Sequence, residues 1–183
     1  MTAIIKQNLI TFTLVIVSLL LVEGIGHIDF SNGNLLFLPM GAEILAYLLF
    51  GFRVLPGVVI ANTLVGYFLW NNWMGSGIDG FYGHVMIGSL APVIAIIIMK
   101  SCHLPEFFKD GKLIFRNVLF LIILTGMVNT LSKFFLFMSV LKTNPDPIVF
   151  LSTYLVGDIL GGIVFIYVAI KIFTPQLIKY RSI

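Results

Sequence analysis

Helix-length apolar runs recur six times along these 183 residues, at 8–26, 35–50, 55–70, 83–99, 118–141 and 148–173, separated only by short polar connections. Hydrophobic residues make up 59% of the chain and charged residues 10%, where a soluble domain carries roughly 25% charged residues. A large core cannot absorb that difference, so most side chains must face lipid or other helices. Inside a bilayer no water satisfies backbone amides, which leaves helices and closed barrels as the only spanning structures. Barrel strands alternate apolar and polar residues over roughly ten positions. The unbroken runs here predict an all-α transmembrane bundle of about six helices, formed as a single domain over residues 1–183.

Spanning takes about 20 residues, so the second and third segments are short. The stretch Gly51-Phe52-Arg53-Val54 joins them as a tight helical hairpin, and Pro56 suits a first helical turn, where no amide bond is lost. Pro39 and Pro92 fall inside the second and fourth segments and predict kinks or local unwinding there. The first segment is too long for a signal-peptide core and lacks a following small-residue cleavage site, so it is expected to remain as a helix.

Charge placement predicts orientation. Lys6, Arg53, Lys100, Lys109, Lys112, Arg116, Lys171, Lys179 and Arg181 fall on one set of alternate connections. The other set holds Lys142 with Asp29, Asp79 and Asp146. Short Lys/Arg-rich loops stay cytoplasmic, so both termini are expected inside, with outer loops after the first, third and fifth helices. Those loops carry turn chemistry in Ser31-Asn32-Gly33-Asn34, Gly75-Ser76-Gly77 and Asn144-Pro145-Asp146-Pro147. Trp70, Trp73 and Tyr82 occupy expected interfacial positions. The ten residues after Phe173 are too few for a soluble output domain.

Three ionisable residues lie deep in apolar helices: Glu43 in the second, Lys133 in the fifth and Asp158 in the sixth. Such groups cost at least a few kcal/mol each without a partner or a wet cavity. Each is about eight to ten residues from the outer end of its helix, roughly 12–15 Å at the helical rise. That shared level predicts one cluster. Asn129 sits one turn from Lys133 on the same face, Asn62 is expected just below the cluster, and His84 above it as a solvated boundary residue. Gly41, Gly157, Gly161 and Gly162 would allow close helix approach. A lysine between two carboxylates can pin helices structurally, bind a ligand or ion, or relay protons. All three readings stay open.

Several chemistries find no support. There is no nucleotide-binding, serine-hydrolase or zinc-protease motif, so no catalytic residue is expected and the chain reads as a non-enzyme. The single cysteine, Cys102, excludes an intramolecular disulfide, and with His103 falls far short of a metal set. His27 and His84 on the outer side are too few to define a haem or metal site, so no cofactor is expected. Small basic loops within a membrane topology argue against nucleic acid as a partner and for the lipid bilayer.

The stretches Leu38-Pro39-Met40-Gly41-Ala42-Glu43 and Gly51-Phe52-Arg53-Val54-Leu55-Pro56-Gly57, followed late by Gly157-Asp158-Ile159-Leu160-Gly161, are similar in order and spacing to elements of the bacterial MASE1 membrane sensor domain. The matching positions are Pro39, Gly41, Gly51, Arg53, Pro56, Gly57, Asp158 and Gly161, while Leu38 stands where the family has tryptophan. The resemblance implies a sensor module of the bacterial cytoplasmic membrane. Family members usually carry a kinase, cyclase or phosphodiesterase at the C-terminus. None is read here, so the resemblance implies signalling through a membrane or cytoplasmic protein partner, with a small molecule as the possible ligand. Transport, as in the substrate-binding subunit of an importer, and a purely structural role in a larger complex are the alternatives.

Overall fold

The computed structural model describes residues 2–25, 29–30, 33–34, 36–69, 77–104, 107–109, 112–139, 142 and 145–177. Six α-helices make up the architecture: α1 (Thr2–Ile25), α2 (Leu38–Phe50), α3 (Leu55–Leu69), α4 (Gly77–Ser101), α5 (Phe115–Ser139) and α6 (Pro147–Leu177). A 3-10 turn (Phe52–Val54) joins α2 to α3. Two antiparallel ladders of two residues per strand accompany the helices: β1 (Asp29–Phe30) with β2 (Gly33–Asn34), and β3 (Phe108–Lys109) with β4 (Lys112–Leu113). Trp70, Trp73 and His27, and most of the three expected outer turns, lie outside the described residues.

Four helices, α1, α4, α5 and α6, are long and apolar enough to cross a membrane, with mean hydropathies of 1.8 to 2.1. Their outward faces carry large apolar side chains, such as Phe135 at 63% and Ile148 at 80% exposure. Apolar surface on this scale suits lipid rather than water. The two remaining helices are shorter. At 13 and 15 residues, α2 and α3 reach about 20 and 22 Å, against a hydrocarbon core of about 30 Å.

Every one of the 13 residues of α2 is buried. A helix apolar all round needs neighbours all round, and α2 has them in α1, α4, α5 and α6. Met40, Ile44, Tyr47 and Leu48 form the main core with Ile96 and Met99 of α4, Leu121 and Ile122 of α5 and Ile166 of α6. A second cluster joins Ala42 to Val15 and Leu19 of α1 and to Ala61 and Val65 of α3.

The start of α2 lies well inside the bundle. The Phe37 amide donates to the Gly157 carbonyl at 3.1 Å, and Gly157 is ten residues past the first residue of α6, about 15 Å along it. Backbone outside a helix is tolerated at such depth only where protein covers it. Here α6 provides the cover. A Cβ on Gly161 would come within 2.2 Å of the Phe37 backbone, so this contact requires glycine. Pro39 therefore stands in the first turn of α2, not inside it as the 35–50 segment implied: the chain ahead of Leu38 is held extended against α6, and the helix begins where proline loses no bond. Pro92 does lie inside its helix, and α4 runs through it.

At the opposite end of α2, Gly51 terminates the helix with φ of 72°, a conformation that side-chain-bearing residues rarely adopt. Asn8 of α1 then clamps the turn: its Nδ2 donates to the Arg53 carbonyl at 3.1 Å and its Oδ1 accepts from the Gly57 amide at 2.8 Å. Lys100 at the end of α4 stands over the Phe52 ring at 5.7 Å, so the first residues of α1, the α2–α3 turn and the end of α4 share one end of the bundle. On α6, Asp146 caps the first turn by accepting from the Ile148 and Val149 amides at 2.9 and 3.0 Å.

Replacing Gly161 with alanine should destabilise the protein by about 1–3 kcal/mol through overpacking against Phe37. Gly24→Ala, in α1 where a Cβ meets nothing within 4 Å, should be neutral or mildly stabilising. Unfolding in a mild detergent separates the two; equal effects would show that the α2–α6 approach is not close.

Candidate functional site: a polar cluster inside the bundle

Five elements bring the deep polar residues to one place. Glu43 stands one turn into α2, and Asn62 of α3 donates to its Oε1 at 2.8 Å. The same Asn62 Nδ2 lies 3.0 Å from the Ser89 hydroxyl of α4, whose backbone carbonyl accepts from the Tyr47 hydroxyl at 2.8 Å. On the other side Asn129 of α5 donates to Asp158 Oδ2 of α6 at 2.6 Å. Glu43, Lys133 and Asp158 are all at most 4% exposed.

Lys133 is held differently from the expectation of a lysine neutralised between two carboxylates. Its ammonium lies over the rings of Phe37 and Tyr154, at 5.8 and 5.7 Å. Among the described residues no direct ion pair links it to either acid, although the charges of Asp158 and Glu43 both act on it. Each carboxylate instead takes a hydrogen bond from an asparagine amide. Dipoles and aromatic faces thus hold charges that sequence reasoning matched pairwise.

A small cavity separates the groups. Phe37, Met40, Glu43, Asn62, His84, Val85, Gly88, Asn129 and Lys133 line it, around an open volume of about 20 Å³. One water needs roughly 10–15 Å³ of such space, so there is room for one or two. His84, expected as a solvated boundary residue, is half-buried and lines this cavity. The reason is that α4 starts at Gly77, six residues before the apolar segment, which carries His84 two turns into the helix. Asn62, expected below the cluster, touches Glu43 directly.

The remaining singled-out residues build the frame around the cavity. Gly41 faces Gly162 and Phe165 of α6, Gly157 and Gly161 receive Phe37, and Pro39 opens α2. Gly51, Arg53, Pro56 and Gly57 form the clamped turn at the far end of α2, with the Arg53 side chain exposed. Sequence reasoning missed Phe37, Tyr47, Ser89 and Tyr154, because aromatic and hydroxyl residues leave no signal in helices that are apolar all round. Cys102 and His103 lie in an exposed turn away from the cluster. Among the described residues no group of three His, Cys, Asp or Glu could hold a metal ion.

Compared with models of protein families, with curated proteins and with solved structures, the chain matches none.

If Lys133 and Asp158 share one electrostatic environment, Lys133→Met and Asp158→Asn should be non-additive, with a coupling of about 1–3 kcal/mol in a double-mutant cycle of unfolding stability. Additivity within about 0.5 kcal/mol would separate the two residues energetically.

Proposed function

We propose that this chain is a non-enzymatic sensor- or receptor-like module of the bacterial cytoplasmic membrane, which binds a small ligand or a membrane partner at the Glu43/Lys133/Asp158 cluster and acts through another polypeptide. One observation carries the reading: ionisable residues of α2, α4 and α5 line a cavity within the bundle, with Asp158 of α6 bonded to the cavity-lining Asn129, where stability alone does not favour them. Well-packed apolar residues are often as stable as buried charges, or more so, which makes a charged interior a functional candidate.

Occupancy acts by shifting helix packing, and only as far as the ligand binds one packing better than another. The element best placed to respond is α2, which holds Glu43 and rests on α6 through glycine contacts. The basic end of the bundle, with Asn8 bonded to the Arg53 carbonyl and Lys100 over Phe52, supports an orientation with both termini in the cytoplasm. The MASE1-like motifs support the sensor reading from the sequence side.

Transport is the second reading, favoured by a specific observation: a short helix that begins inside the bundle beside a polar site is a device of secondary transporters. Uptake by proteoliposomes would select it.

Native mass spectrometry of protein gently extracted from its membrane tests the sensor reading. Expected is a bound small molecule or a partner subunit at fixed stoichiometry on the wild type, lost from Asp158→Asn. A bare wild-type protein, or an Asp158→Asn variant that keeps its companion, would contradict it.

A further inference from the structure

The cavity holds more hydrogen-bonding capacity than its walls consume. Asn129 commits its Nδ2 to Asp158, and its Oδ1, on a residue with 0% exposure, has no hydrogen-bond partner among the described residues. Glu43 receives the Asn62 amide on Oε1, whereas a carboxylate offers about four acceptor positions. Both residues line the same space, large enough for one or two water-sized bodies and too small for an organic molecule.

Charge points the same way. The titratable groups that line the cavity are Glu43 on α2, His84 on α4 and Lys133 on α5, with Tyr47 of α2 and Tyr154 and Asp158 of α6 behind them. The buried polar groups contributed by α1 are the hydroxyls of Thr11 and Ser18, and α3 contributes the neutral Asn62. With ordinary ionisation, two carboxylates face one ammonium and one negative charge is left over. An uncompensated charge in such surroundings is costly.

We propose that the cavity binds one small monovalent cation, an alkali ion or a proton, with Glu43 and the free Asn129 Oδ1 as its oxygen acceptors. Lys133 does not occupy that position, because its ammonium is drawn to the Phe37 and Tyr154 rings. A proton would sit on the Glu43 carboxyl or on a water between it and Asn129; an alkali ion would take oxygen ligands alone. This inference rests on the reading of the cluster as a binding site, and narrows its ligand class from small molecules to small cations.

The test uses the full chain in lipid nanodiscs. Thermal unfolding is followed at constant ionic strength while sodium or potassium replaces choline, a cation too large for the cavity. The infrared spectrum is then searched for the carbonyl stretch of a protonated carboxylic acid. Sodium or potassium binding is expected to give a concentration-dependent rise in unfolding midpoint, lost in Glu43→Gln and in Asn129→Leu. Proton binding is expected to give a carboxylic-acid band that Glu43→Gln removes; a band that only Asp158→Asn removes, or an imidazolium signal in ¹⁵N NMR that His84→Gln removes, would place the proton off the named acceptors and overturn the proton form of the proposal. The proposal is overturned if the wild type shows neither the alkali-ion shift nor a bound proton, or if the ion effect survives in both acceptor variants. The wild-type measurements decide the matter even where a variant fails to fold. A positive result without any partner would spare the cation site and remove the sensor reading; a partner without cation binding would do the reverse.

Discussion

Three ionisable side chains in a mostly lipid-facing bundle must be satisfied from within, and the arrangement of the other helices follows from that constraint. Glu43 and Asp158 each take an asparagine amide, and Lys133 takes two aromatic faces. The charges and their partners come from α2, α3, α5 and α6, and Ser89 of α4 accepts from Asn62, so the cluster ties together five helices. Buried charges of this kind add little net stability yet are exacting about register.

Helix α2 makes the arrangement possible. It is too short to span alone, is buried throughout its length, and begins where Phe37 bonds to Gly157. A full-length helix in its place would present further side chains to α6, at the level where Gly161 leaves no room for a Cβ beside Phe37. The extended approach to α2 also brings the Phe37 ring over Lys133. Backbone geometry and charge stabilisation thus meet at one residue. At its other end the helix is stopped by Gly51 and tied to α1 through Asn8, so its position is fixed from both sides.

Much of this was legible in the chain. The apolar runs marked six helices because lipid exposure leaves no amphipathic ambiguity, but the depths counted from the helix ends were not equal as expected: Glu43 stands five residues into α2, Lys133 six before the end of α5 and Asp158 eleven into α6. Other features were not legible for physical reasons. The beginning of α2 shifted because Leu35, Leu36 and Phe37 are as apolar as the helix they precede, and composition does not separate extended chain from helix. His84 was misplaced because α4 extends through Ile78-Asp79-Gly80, a stretch that polarity and glycine had marked as loop. The two short ladders are held by backbone pairing and leave no periodic trace. The match between an asparagine and a carboxylate on separate helices needs rotation angles, which an all-round apolar helix does not encode.

Solid-state NMR on membrane-embedded protein with ¹⁵N-labelled asparagine and lysine and ¹³C-labelled aspartate and glutamate tests the shared cluster most directly. Expected is dipolar transfer from the Asn62 Nδ2 to the Glu43 carboxyl carbon and from the Asn129 Nδ2 to that of Asp158, with a Lys133 ammonium signal that exchanges slowly with bulk water and vanishes in Lys133→Met. Carboxyl carbons that receive no transfer from either asparagine, with a Lys133 signal that exchanges freely with solvent, would mean that the three groups reach water separately.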